Sequence, residues 1–126
     1  EIRPRDWSSD VCSSDLKLLH AATNGHILHL QTKSYAQHKA LQAYYENLPD
    51  LVDNIIEQWQ GAYQKIVEYP NEYTPPINDP LAEVYEIRDF VAKNRAIVGD
   101  YTSIQNQVDE LMSLLDSTVY KLTFLK

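Results

Sequence analysis

The sequence has little of several residue types that define other classes of protein. Its 126 residues include one Cys and three Gly. A single Cys excludes a disulfide framework within the chain and any metal site built from several cysteines. So few glycines argue against a turn-rich all-β fold. No apolar run approaches the ~18 residues that a membrane-spanning helix requires, so we expect no membrane partner.

Basic residues are also scarce relative to acidic ones. The chain has 11 Lys and Arg against 18 Asp and Glu, a formal net charge of −7. This balance disfavours a continuous nucleic-acid-binding face, and we expect no direct contact with nucleic acid. With 44% hydrophobic and 23% charged residues, the composition is typical of a soluble globular protein, and the length predicts a single domain.

The first sixteen residues differ in origin from the rest. Residues 6–16 read DWSSDVCSSDL, which resembles one translated reading frame of a common sequencing-library adapter. We therefore expect residues 1–16 to be a non-native segment, residues 17–126 to form the domain, and the first helix to be truncated. Leaving out the four acidic and two basic residues of this segment takes the 18 and 11 to 14 and 9, so the domain stays acidic at −5.

Helical periodicity is clearest in the first half of the domain. Segment A, residues 17–31, places Leu19, Ala22, His26 and His29 on one helical face. Segment B, residues 34–60, carries an unbroken a/d series: His38, Leu41, Tyr45, Leu48, Val52, Ile55 and Trp59. Pro49 interrupts segment B and predicts a kink or short break, after which Asn47 would cap a restarted helix. Gly61 is the expected stop.

A proline-rich connection separates these segments from two more helices. It spans residues 62–79, with a short helix expected over 63–67, and Asp79-Pro80 predicts the start of segment C. The expected core positions of segment C are Leu81, Val84, Ile87 and Val91, and Gly99 would end it. Segment D would be capped by Asp100, Thr102 or Ser103, and its a/d positions are Ile104, Val108, Leu111, Leu115, Thr118, Leu122 and Leu125. Acidic residues of these segments, Glu83 and Glu86 among them, are expected on solvated faces.

Four amphipathic helices predict an all-α fold, an antiparallel four-helix bundle. The long B–C connection favours a crossover, as in ferritin-like folds. A di-iron site inside one such bundle uses Glu-x-x-His motifs, and no Glu here has a His three residues on. A conventional intra-bundle site is therefore not expected.

The histidines suggest another arrangement. Across the short A–B turn, His26 and His29 would lie beside His38, while Asp53 and Glu57 share one face of segment B at i, i+4 spacing. Imidazoles and carboxylates are ligands for iron and related metals. His38 and Asp53 are 15 residues apart, about 22 Å along one helix, so a shared site needs two chains related by a two-fold axis.

This set resembles the Dps family of ferritin-like proteins. The family motif has His, twelve residues to His, fifteen to Asp and four to Glu, and His26, His38, Asp53 and Glu57 stand at those spacings. The resemblance implies a ferroxidase site in which the two histidines of one subunit and the two carboxylates of its partner bind iron, within a homodimer or larger homo-oligomer. Gln42 stands where the family usually has another acid, which predicts weaker binding or a single metal position, and Ile27 stands where the family has Trp.

Other interpretations of the same residues stay open. His29 and Gln42 could support a metal from the second shell, or the histidines could simply pack. Tyr35, Tyr44, Tyr45 and Trp59 are expected in core or interface packing. The stretch HILHLQTKSYAQHKALQAYY is also similar to an uncharacterised family of helical proteins from tailed bacteriophages. That similarity implies a protein of the host-cell cytoplasm, and the alternative function of a non-enzymatic structural or interaction module without metal.

Overall fold

The computed structural model describes residues 7–126, the first three of them by their backbone alone. No strand occurs within this range, so the all-α prediction is confirmed. Four α-helices follow one another, and a single 3₁₀ turn, Arg95–Val98, extends the third. They are α1 (Trp7–Gln31), α2 (Tyr35–Tyr63), α3 (Pro80–Asn94) and α4 (Thr102–Phe124).

The first helix begins ten residues earlier than the predicted Lys17. Residues 10–16 continue α1 and contribute to the core, where Val11 and Cys12 are buried. Residues 1–6 of the adapter-like segment lie outside the described residues. The foreign origin of residues 1–16 and the truncation of the first helix stay predictions.

The predicted inner face of α1 is displaced by about one residue. Leu18, Ala21 and Leu28 are buried, whereas Leu19 is only half-buried and His26 is exposed; of the predicted face, only His29 is buried. Helices α1 and α2 approach closely at Gly25, where a Cβ atom would lie only 2.8 Å from the Tyr44 ring of α2. The absent side chain therefore fixes which positions of α1 meet α2.

The second helix is continuous through Pro49, so the predicted break is wrong. Asn47 does not cap a new helix, because its side-chain amide donates to the Ala43 carbonyl within the same helix. Leu48 and Val52 on either side of the proline are fully buried. Their packing holds the helix together across the hydrogen bond that proline cannot make.

The ends of the helices follow local capping rules only in part. Ser34 caps α2, accepting from the Gln37 N–H at 3.2 Å, and Asp79 caps α3 with Pro80 in the first turn, as predicted. Helix α2 runs past Gly61 and ends at Tyr63, followed by the left-handed C-cap Gln64 (φ 55°), so residues 63–67 form no separate helix. The N-cap of α4 is Tyr101, whose side chain makes no capping hydrogen bond, and not the predicted Asp100, Thr102 or Ser103.

Helix α2 lies at the centre of the bundle, packing on α1 along one side and on α4 along the other. Helices α3 and α4 pair, whereas α1 and α3 meet over a short stretch only. The predicted core of α2 and α4 is confirmed at most positions, with Trp59 buried. Leu125, predicted in the core, is exposed, as is Tyr35.

The connection between α2 and α3, residues 64–79, crosses the length of the bundle. We call it the strap. Tyr63, the residue of α2 just before the strap, contacts Tyr101 at the beginning of α4. At the opposite end of the bundle, the Thr74 carbonyl of the strap accepts a hydrogen bond from Asn24, toward the C-terminal end of α1. The strap therefore lies over the side where α1 and α3 are apart. As a result α2 and α3 run parallel to each other and antiparallel to α1 and α4, which is the crossover that the long connection predicted.

Candidate functional site

Three of the four histidines meet where α1 turns into α2. His29 and His38 stack with ring centroids 3.6 Å apart, and His26 stacks on Tyr45 at 4.2 Å. The His26 and His29 rings meet edge to face at 5.9 Å. We call these four residues the histidine cluster. The sequence predicted that His26 and His29 would lie beside His38 at this turn, and the structure shows the His29 ring stacked on the His38 ring.

Reciprocal hydrogen bonds hold the His29 and His38 rings. His29 Nδ1 donates to the His38 carbonyl at 2.7 Å, and His38 Nδ1 donates to the His29 carbonyl at 2.9 Å. Because a carbonyl oxygen only accepts, each Nδ1 carries a proton, and in the neutral form of either ring the lone pair is on Nε2. The two helices are thus tied together on both sides of the turn.

The stacked rings are poorly arranged to bind one ion between them. A metal ligand uses the lone pair in the plane of its ring, and two nearly parallel planes, 22° apart, direct those lone pairs side by side rather than toward a common point. Among residues 10–126, no group of three or more His, Cys, Asp or Glu side chains is placed to hold a metal ion. Within one subunit the cluster therefore does not fit the predicted iron.

The predicted carboxylates lie elsewhere. Asp53 and Glu57 are exposed on α2, and about 22 Å of helix separates Asp53 from His38. Gln42 is bonded to its own helix, donating to Glu46 at 3.1 Å. One subunit does not bring the predicted ligands together, and their assembly across two subunits stays a prediction.

A polar cavity that sequence reasoning missed lies beneath the strap. It has a volume of about 190 Å³ and opens between α1, α3 and the strap. Asn24 connects two of these elements, donating to the Thr74 carbonyl at 3.1 Å and accepting from the Tyr73 hydroxyl at 2.6 Å. His20 meets the Tyr73 ring edge-on at 4.8 Å, and Lys17 pairs with Glu86 at 3.0 Å at the cavity wall.

Glu83 also lines the cavity, and its burial contradicts the expectation of a solvated face. Only 2% of its surface is exposed, and its carboxylate accepts from the Ile77 N–H at 2.8 Å. Burial raises the pKa of Glu83, and the charge of Glu86 adds to this, although the bond from Ile77 and the nearby Lys17 oppose it. A sequence signal existed, because Glu83 precedes Ile87 by four residues and therefore lies on the same side of α3 as this predicted core residue.

A second buried acid fastens the strap nearer its start. Asp15 accepts a hydrogen bond from the Tyr69 hydroxyl. Burial raises the pKa of Asp15, and the charge of Asp53 raises it further, while the bond from Tyr69 opposes the rise. Cys12 Sγ accepts the Glu68 N–H at 3.2 Å. The strap is thus held along its length by side chains of α1 and α3.

Comparison with known proteins gives a family and no activity. The model of the family of unknown function DUF5856 matches residues 29–122. The chain is also 30% identical over 111 residues to the uncharacterized 14.6 kDa protein in the mobD-ri intergenic region of Enterobacteria phage T4, a match that covers 84% of this chain and 82% of that protein. No solved structure matches the chain. None of the helices described is long and apolar enough to cross a membrane. The family match spans most of the chain, which therefore belongs to the family of unknown function DUF5856.

Proposed function

We propose that this chain is a non-catalytic, phage-encoded helical module that acts by binding another protein surface. The observation that carries the proposal is the pairing of His29 and His38, whose rings stack and bond reciprocally to each other's backbone. These are the side chains most suited to chemistry at the turn. Their use as a fastening between α1 and α2 favours a structural role.

The remaining polar groups support the same interpretation. In the cavity, Asn24 and Glu83 are bonded to the strap, so they hold the fold and do not converge on a free reacting position. Meanwhile several large side chains face solvent, including Tyr120 and Phe124. Exposed aromatic residues are the usual anchors of protein interfaces.

An anaerobic Fe(II) titration of the full chain tests this proposal. We expect no saturable binding at micromolar Fe(II) and no oxidation above the rate in buffer. Saturable binding near two sites per dimer that is lost in His38→Ala and kept in His20→Ala, a histidine outside the cluster, would overturn the proposal.

That same outcome would support the second candidate, a Dps-like iron-binding protein that oxidises Fe(II) between subunits. One specific observation favours it: with Nδ1 bonded to a carbonyl, Nε2 of His38 is free to bind a metal in the manner of histidine ligands. The crossover of the strap is also compatible with a ferritin-like fold. In this candidate, His26 and His38 of one subunit and Asp53 and Glu57 of the other would hold the iron.

A further inference from the structure

The outer groove between α3 and α4 carries paired side chains at regular intervals. Arg88 binds Asp116 across the groove at 2.8 Å, and Arg95 binds Asp109 at 2.6 Å. The step of seven residues from Arg88 on α3 to Arg95 in the 3₁₀ turn that follows it is matched by seven residues back along α4. These two ion pairs therefore fix the register of the antiparallel helices along this face.

The same register puts one aromatic residue of each helix at the same level, one turn beyond the first ion pair. Tyr85 precedes Arg88 by three residues and Tyr120 follows Asp116 by four, so both lie one helical turn further along the same groove. The Arg88 guanidinium lies 5.9 Å from the Tyr85 ring centre. This contact shows that Tyr85 is on the groove side of α3.

One turn further along, the register puts Leu81 and Phe124 at the same level of the two helices. Leu81 on α3 is half-buried and Phe124 on α4 is 70% exposed. The Phe124 ring contacts Tyr120, with centroids 5.7 Å apart. We call the three pairs (Leu81 with Phe124, Tyr85 with Tyr120, Arg88 with Asp116) the α3–α4 ladder. Tyr85 is 40% exposed and Tyr120 is 55% exposed, so the apolar part of the ladder faces solvent.

The charges along the groove indicate which partner would cover the ladder. Each ion pair has its cation on α3 or on the 3₁₀ turn that extends it and its anion on α4, and both members of the pair within the ladder are partly exposed (38% for Arg88 and 55% for Asp116). A two-fold axis parallel to the helices would lay α3 of one copy over α4 of another at the same level. Arg88 would then meet Asp116 of the second copy, and Tyr85 would meet Tyr120. The face is therefore complementary to itself, as a two-fold interface requires.

We propose that the α3–α4 ladder is a self-association surface and that its partner is a second copy of this chain. The inference rests on the proposed interaction function and names its partner. It places the interface on the opposite helix pair from the turn that the Dps resemblance implies. The two apolar pairs supply the buried area, and the ion pairs along the groove set the alignment of the two copies.

The mass of the full chain in solution, measured by sedimentation over a range of concentrations, tests this surface. We expect two copies for the wild type, and at least a tenfold rise in the dimer dissociation constant for Tyr120→Ser combined with Phe124→Ser. The matched control is Leu30→Ser combined with Tyr35→Ser, two exposed apolar residues at the α1–α2 turn. Helicity by circular dichroism identifies any variant that fails to fold.

A charge exchange tests the alignment independently of apolar area. Asp116→Arg should weaken the dimer, and adding Arg88→Asp should restore it. Three outcomes would each overturn the inference. The wild type could stay monomeric, the control pair alone could weaken the dimer, or Asp116→Arg could leave the dimer dissociation constant unchanged. These outcomes leave the proposed function standing, because that proposal is overturned by Fe(II) binding or oxidation.

Discussion

Single residues close the α1–α2 turn through bonds that reach from side chain to backbone. His29 is buried and His38 half-buried, so their polar atoms need partners inside the protein. Each finds one in the other's carbonyl. Thr32 strengthens the turn, since its hydroxyl donates to Gln37 at 2.6 Å and accepts the Ser34 N–H at 3.2 Å. The turn is thus specified by a few side chains, each with a definite partner.

Replacing His38 with Ala should lower the free energy of unfolding by about 1–3 kcal/mol, because one hydrogen bond is lost and the buried His29 loses its stacking partner. Urea denaturation measures this loss. Lys39→Ala, at an exposed neighbouring position, serves as the control and should change stability by less than about 0.5 kcal/mol. Equal stabilities for the two variants would show that the pair does not fasten the turn.

At the scale of elements, the strap is ordered without regular secondary structure. Its backbone groups are bonded by side chains from the helices beneath it: Ile77 by Glu83 and Thr74 by Asn24. Tyr69 and Tyr73 supplement these bonds through their hydroxyls. Prolines limit the freedom of the unbound strap, which reduces the entropy lost when it docks. The segment therefore acts as a third element between α1 and α3.

Asn24→Ala should loosen the strap more than it destabilises the bundle. Tyr73 and Thr74 would both lose their partner, and we expect a global loss of about 1–2 kcal/mol together with faster amide exchange confined to residues 64–79. Hydrogen exchange followed by mass spectrometry reads both effects. The control is Asn106→Ala, on an exposed position of α4. Unchanged exchange in the strap would contradict the anchoring role of Asn24.

At the scale of the whole molecule, an acidic chain buries two of its carboxyl groups beside the strap. Glu83 and Asp15 both have raised pKa values, chiefly because burial disfavours the charged form. The folded state therefore binds these protons more tightly than the unfolded chain does. Each carboxyl group thus favours folding most at pH values below its unfolded pKa, and this contribution is lost as the pH rises through the folded pKa.

Glu83→Gln should reduce this pH dependence. Glutamine still offers an oxygen to the Ile77 N–H but carries no charge at any pH, so the variant should lose less stability than the wild type between pH 4.5, the ordinary pKa of a glutamate, and neutral pH. Thermal melts at several pH values compare the two. Glu110→Gln, on an exposed position, should keep the wild-type slope; an unchanged slope in Glu83→Gln would refute the assignment.

The sequence by itself determined the features that depend on near neighbours along the chain. Helical periodicity identified four helices and the core faces of α2 and α4, and Asp79-Pro80 gave the start of α3, because capping and amphipathicity act within a few residues. It also identified the cluster of histidines at the α1–α2 turn, since a short turn brings its two flanks together.

Only the tertiary structure decided which groups meet across the bundle. Helix α2 passes through Pro49 because residues on both sides of it pack in the core. Glu83 is buried because the strap covers it, and Ile77 of the strap donates its N–H to the Glu83 carboxylate. His38 pairs with His29 because the close approach at Gly25 sets the register of the two helices. Each outcome depends on how separate segments pack or on the register between two helices, and neither leaves a periodic signal in the sequence.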